Sequence, residues 1–123
     1  MKKQETGQSL IEVLAALAVV IIVILALIAV VTTSIRNATF AKNQSLATQY
    51  AQEAIEKVRV FRDEEPDSFF AGSCPSPETL TGFNQTISCQ TEAEGRVKVI
   101  VTVSWTDAKG IHQSQLTTYL TKW

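Results

Sequence analysis

Between Gln8 and Glu65 the chain contains no glycine and no proline, so no residue in that stretch breaks a helix. Histidine occurs only once, at His112, on a stretch that reads as a polar surface strand, and no Ser-His-Asp set can be built from it. The only two cysteines, Cys74 and Cys89, have no histidine nearby to complete a metal site. No glycine-rich run ends in the Lys-Ser/Thr pair of a phosphate loop. The acidic knot Asp63-Glu64-Glu65 with Asp67 lacks the regular ligand spacing of a calcium loop and reads as a solvated turn. With 11 Lys+Arg against 12 Asp+Glu there is no basic excess to hold a polyanion. The expectation is therefore no enzyme, no cofactor, no metal and no nucleic-acid partner.

What is present in quantity is apolar sequence. Val13 to Val31 is an unbroken run of 19 apolar residues. As a helix, Leu10 to Val31 would be roughly 33 Å long against a hydrocarbon core of about 30 Å. A membrane-inserted helix is the reading this favours, with a fully buried core helix as its alternative. Lys2 and Lys3 precede the span, which places the N-terminus on the cytoplasmic side and the remainder outside, Arg36 being the one opposing charge. A chain of 123 residues then divides into one anchor and one small domain.

The segment before the span differs from a secretory signal, whose apolar stretch is shorter and is followed by its cleavage site. Met1-Lys2-Lys3-Gln4-Glu5-Thr6-Gly7 is a polar, basic heptapeptide ending in glycine, and Gln8-Ser9-Leu10-Ile11-Glu12-Val13-Leu14 follows. Glu12 is a carboxylate inside apolar sequence, where an unpaired charge costs on the order of 2.5–3.5 kcal/mol at mid-membrane and less near the interface. Cleavage between Gly7 and Gln8 would free an α-amino group with a reference pKa of about 7.7–8.0, mostly protonated at neutral pH. That ammonium would neutralise Glu12, four residues away in the same helix or on an axially staggered neighbour. The alternative is a Glu12 that reaches the headgroups, favoured by the positive end of the helix dipole.

Gly7 followed by Ser9-Leu10-Ile11-Glu12-Val13-Leu14, behind a basic leader, resembles the processing and N-terminal methylation motif of type IV pilins and type II secretion pseudopilins. The resemblance implies that a membrane-embedded prepilin peptidase cuts after Gly7 and N-methylates Gln8, and that Glu12 is the assembly glutamate. It further implies assembly with other pilin or pseudopilin subunits, through an inner-membrane assembly platform, after a period in membrane lipid. Gln8 stands where the family usually has Phe or another apolar residue, and the span lacks the helix-loosening Gly or Pro common in major pilins. The stretch is most similar to PilV-type minor pilins and I-type pseudopilins, which points to an accessory subunit.

Beyond Val31, Leu46, Tyr50, Ala54, Val58 and Phe61 recur at helical spacing, and Glu53-Lys57 is a favourable i,i+4 pair. Pro66 should stop this helix, predicted over about Ser9–Asp63. Ser68 to Gly82 reads as a loop, and Phe83 to Cys89 as a first strand. Arg96 to Trp105 places Val97, Val99, Val101, Val103 and Trp105 on one face. After a turn over Thr106–Gly110, Ile111 to Thr121 returns with Leu116 and Leu120 inward. The valine face needs an apolar cover, and only the helical stripe has the right length. The predicted fold is α+β: a long N-terminal helix, membrane-spanning in its first half, packed on a small antiparallel sheet, which is also the type IV pilin-like layout.

The resulting organisation is residues 1–7 as leader peptide, 8–35 as transmembrane and assembly helix, and 36–123 as an extracytoplasmic pilin-like domain. The expected location is a single-pass cytoplasmic-membrane protein, N-terminus in and C-terminal domain out, that passes into a periplasmic or extracellular filament. The rival reading is a single-pass anchored domain that binds an external ligand and does not polymerise. Cys74 and Cys89, 15 residues apart, are expected to close a disulfide worth about 3 kcal/mol in the loop-entropy model, with free thiols as the alternative. Labelling the purified chain with a thiol reagent should modify neither cysteine before reduction and both after it. Labelling without reductant would establish the free thiols.

Overall fold

The computed structural model describes the backbone of residues 2–122 and, from Gly7 onward, their side chains. Helix α1 runs Lys2–Glu64, the short helix α2 Pro66–Phe70, and three strands follow: β1 Asn84–Ala93, β2 Arg96–Asp107 and β3 Gly110–Thr121. Two compact units divide the chain at a point inside α1, Met1–Phe40 and Ala41–Trp123.

In the first unit, α1 continues through Val19-Val20-Ile21-Ile22-Val23-Ile24. Six β-branched residues in a row lose χ1 freedom in a helix and form one poorly in water. Apolar surroundings reverse that preference, because only a helix satisfies every backbone donor and acceptor within one strand of chain. Thr32 and Thr33 extend the apolar surface past Val31, since their hydroxyls donate to the carbonyls of Ile28 and Ala29 at 2.8 and 2.9 Å.

In the second unit, the helix ends where Pro66 forbids a helical residue before it. Glu65 sits at φ −130°, ψ 65°, while its N–H still donates to the Phe61 carbonyl at 2.8 Å. The same proline then opens α2 at a position where its missing N–H costs nothing. The stretch from Ser68 is therefore not all loop: α2 aims Phe69 into the core, fully buried and edge-on to Phe61 at 6.3 Å.

The sheet has the order β1-β2-β3, antiparallel throughout. Its central strand buries Val97, Val99, Val101, Val103 and Trp105, the face marked by the alternation. Leu120 joins them and Leu116 is half-buried against the same cluster. β1 begins one residue later than the pattern suggests and runs past Cys89 to Ala93, because Gln90 and Thr91 find partners in Lys98 and Val97 although their side chains are polar and exposed. Between β1 and β2, Gly95 holds φ 76°, and a Cβ there would meet the Lys122 Cβ at 3.3 Å.

The helix covers the sheet with smaller residues than the periodicity emphasised. Ala47, Ala51, Ala54, Ile55 and Val58 are the buried line, while Leu46, Tyr50 and Phe61 are half-buried at its borders. Alanine lets the α1 backbone approach the valine row, and the larger residues wrap the margins; Tyr50 meets Phe83 edge-on at 5.3 Å. The Glu53-Lys57 pair does not form. Lys57 turns instead to Glu78 at 3.6 Å and to the Ser76 carbonyl at 3.1 Å, and Glu53 accepts from Gln49 at 3.1 Å. An exposed i,i+4 pair is worth only a few tenths of a kcal/mol, so a loop carbonyl and a second carboxylate displace it readily.

The close helix-to-sheet contact gives a directional test. Ala51→Leu should destabilise the purified full-length chain by about 1–3 kcal/mol in denaturant unfolding, through overpacking. Ile111→Thr, at a residue 76% exposed, should change stability by no more than about 0.5 kcal/mol.

Candidate functional site

The residues singled out at the start of the chain lie on one exposed stretch of α1. Gly7, Gln8 and Glu12 are all helical and solvent-facing, and Gln8 and Glu12 are one turn apart on the same side. The side chains of residues 1–6, Lys2 and Lys3 among them, lie outside the described residues, as does Met1 altogether.

Gly7 differs from the other glycines. Gly72, Gly82, Gly95 and Gly110 all have positive φ, whereas Gly7 is helical and a Cβ on it would meet nothing within 4 Å. Glycine in a helix is disfavoured by up to about 1 kcal/mol relative to alanine. Neither its backbone conformation nor packing among the described residues calls for it. Glu12 is similarly without an internal role: among the described residues no side chain pairs with it, and it stands between Ile11 and Val13, both exposed.

The apolar segment that follows is bare. In its most apolar window no residue is buried, and exposed leucine, isoleucine and valine occur on every face of the helix. The helix is long and apolar enough to cross a membrane. Transfer of its Leu, Ile and Val side chains to a bilayer is worth roughly 4–8 kcal/mol, which exceeds the ~3 kcal/mol that one carboxylate costs at mid-membrane, and Glu12 lies near the rim. Burial in a bundle of like helices would also cover it, and Ala15, Ala16, Ala18, Ala26 and Ala29 permit close approach.

Elsewhere the chemistry is that of a scaffold. Cys74 and Cys89 form a disulfide with Cα atoms 5.7 Å apart, fastening the loop after α2 to β1. Four residues before Cys89 on the same strand, Gln85 is the buried polar residue that sequence reasoning passed over: its Oε1 accepts from the Glu78 N–H at 2.9 Å. The only advance signal was its inward register next to Ile87. Asp63 of the acidic knot pairs with Arg62 at 3.1 Å, and no group of three or more metal-binding side chains occurs among the described residues.

His112 is not the free surface residue its polar strand suggests. It is half-buried beside Trp105, ring centres 5.6 Å apart, and its Nε2 lies 2.9 Å from Asp107 Oδ2. Partial burial pushes the Asp107 carboxyl up, but the Lys109 N–H at 2.8 Å, the His112 hydrogen bond and charge, and the Gly110 N–H outweigh it and hold the carboxyl below its ordinary value. These contacts close the β2–β3 turn.

Scans of family models, curated proteins and solved structures find no match to this chain.

Because the folded-state pKa of Asp107 is depressed, the stability its carboxylate provides is present above the ordinary value of 3.8 and is lost as pH falls through the lower folded value. Asp107→Asn should flatten the acid limb of the stability-against-pH curve below about pH 4. An unchanged limb would show that the turn contacts contribute nothing.

Proposed function

We propose that the chain is a structural, accessory subunit of a type IV pilus or type II secretion pseudopilus, processed after Gly7 and assembled through its N-terminal helix. The observation that carries this reading is the bare helix headed by two residues for which the described residues show no internal partner. An anchor requires apolar length only. It does not require a helical glycine at the boundary, nor a carboxylate five residues beyond it. A peptidase that needs a small residue at its cut, and a new N-terminal ammonium that needs a counter-charge, account for both.

In this reading the subunit waits in the cytoplasmic membrane with its N-terminus inside and its α+β domain outside. Prepilin peptidase removes residues 1–7 and methylates Gln8. The ammonium of Gln8 and the carboxylate of Glu12 then enter the apolar interior as a neutral pair, within one chain or between staggered chains, and in the second case the pair sets the axial register. The inner-membrane assembly platform draws the helix out of lipid and into contact with the helices of other subunits. Gln8 in place of an apolar first residue, and a span without loosening Gly or Pro, support an accessory place over that of the major subunit. The disulfide suits a domain exposed to an oxidising compartment.

Co-expression with a prepilin peptidase should shorten the chain by residues 1–7, read by intact-mass spectrometry, with a methyl group added at Gln8. Gly7→Ala should leave membrane insertion and domain stability unchanged while slowing cleavage. Glu12→Ala should still insert but should enter purified filaments about tenfold less well, the equivalent of ~1.4 kcal/mol. An intact N-terminus in cells with active peptidase would favour the anchored ligand-binding domain instead.

A further inference from the structure

The two edges of the sheet are built differently. On β2 and β3, the Lys122 N–H donates to the Gly95 carbonyl at 2.7 Å, in register with the pairs Val97–Leu120 and Val99–Thr118. An antiparallel ladder alternates bonded and non-bonded pairs, so this one bond sets the phase of the whole strand. Ile111, Gln113, Gln115, Thr117, Tyr119 and Thr121 then direct their N–H and C=O groups away from β2. All of them are exposed, and β3 is the last strand of the sheet. Among the described residues no backbone group bonds to them from outside.

An open edge invites pairing with another chain, and proteins blunt it with charge, proline, bulges or a covering segment. β1 uses several of these devices. Its register shifts between Thr91 and Ala93, Glu92 and Glu94 stand at its end, and the preceding loop is tied alongside by Cys74–Cys89 and by the Glu78 N–H on Gln85. β3 uses none: Gly110–Thr121 contains no Lys, Arg, Asp, Glu or Pro, and it pairs with β2 without a shift.

We propose that the free edge of β3 is a docking site for an extended segment of a partner protein, which adds to the sheet as a fourth strand. Outward N–H and C=O groups repeating about every 7 Å are matched by another extended backbone. The uncharged edge selects a segment that is itself neutral and lacks proline. Side chains on one face of that segment lie beside Gln113, Gln115 and Thr117, which suits polar residues. Those on the other face lie beside half-buried Leu116, which suits apolar ones. A second copy of this chain fits less well. Two-fold pairing of β3 with β3 reverses residues 41–64 of α1 between the copies, whereas chains anchored by the same end in one membrane enter their domains in the same sense; this step rests on the anchored reading. Side-by-side pairing of parallel copies would need the edge of β1, which carries the register shift and the tethered loop.

The test uses the purified full-length chain in detergent and, as probe, a short soluble peptide alternating valine and threonine. Hydrogen exchange at the six outward amides of β3 should slow roughly tenfold or more on peptide addition, with the amides of β1 unaffected. The same peptide N-methylated at every residue, so that neither of its edges can donate, should not bind. Thr117→Pro removes an outward N–H that β2 does not use, so it should abolish binding with the domain still folded. If that variant unfolds, the N-methylated peptide decides the matter alone. No protection at saturating peptide, equal binding of the N-methylated peptide, or protection that rises with protein concentration in the absence of peptide would each overturn the proposal. Cleavage after Gly7 is read separately, so failure here leaves the filament reading intact.

Discussion

Nineteen consecutive apolar side chains that the rest of the chain does not cover set the terms for everything else in this molecule. Water is a poor solvent for them, and their β-branched composition makes the helix itself depend on an apolar surrounding. Lipid supplies one such surrounding and a bundle of neighbouring helices another, with little difference in hydrophobic free energy between the two. If the chain is the filament subunit proposed above, that near-equality would let it move from membrane to filament. On the proposed reading, the polar groups at the rim, Glu12 above all, would decide where each helix stops.

The second unit solves a different problem with the same helix. A three-stranded sheet with one apolar face needs a cover for that face. The row Val97, Val99, Val101, Val103 is closed by the alanine line of α1, and each fully buried valine contributes about 1.5–3 kcal/mol. Tyr50, Phe83 and Trp105 seal one end and Phe61 with Phe69 the other. The disulfide and Gln85 hold the intervening loop against β1, so the margin of the domain on that side is fixed while the β3 margin stays open.

Much of this was legible in advance where a strong local signal had no competitor. The alternation of β2, the stop at Pro66 and the pairing partners available to Cys74 and Cys89 all follow from short-range chemistry. The signals failed where a residue served two masters. Alanine has little side chain to bury and stands out less than Leu46 or Tyr50 beside it, so Ala47 and Ala51 were passed over although both are fully buried under the sheet. Pro66 ends one helix and begins another, and only the first role is visible without Phe69 having somewhere to go. Lys57 had an adequate partner within its own helix and a better one in a distant loop.

By itself the sequence determined the anchor-like length of the apolar run, the placement of Gly7, Gln8 and Glu12 before and at its edge, and the face that β2 would bury, because each depends on residues adjacent in the chain or one turn apart. The tertiary structure alone decided that Gly7 and Glu12 have no partner among the described residues, that alanines carry the helix-to-sheet contact, that His112 lies against Trp105 and Asp107, and that the two sheet edges are built differently. Those facts concern what stands next to a residue in space, and spatial neighbours far apart in sequence are set by packing, which no local pattern encodes.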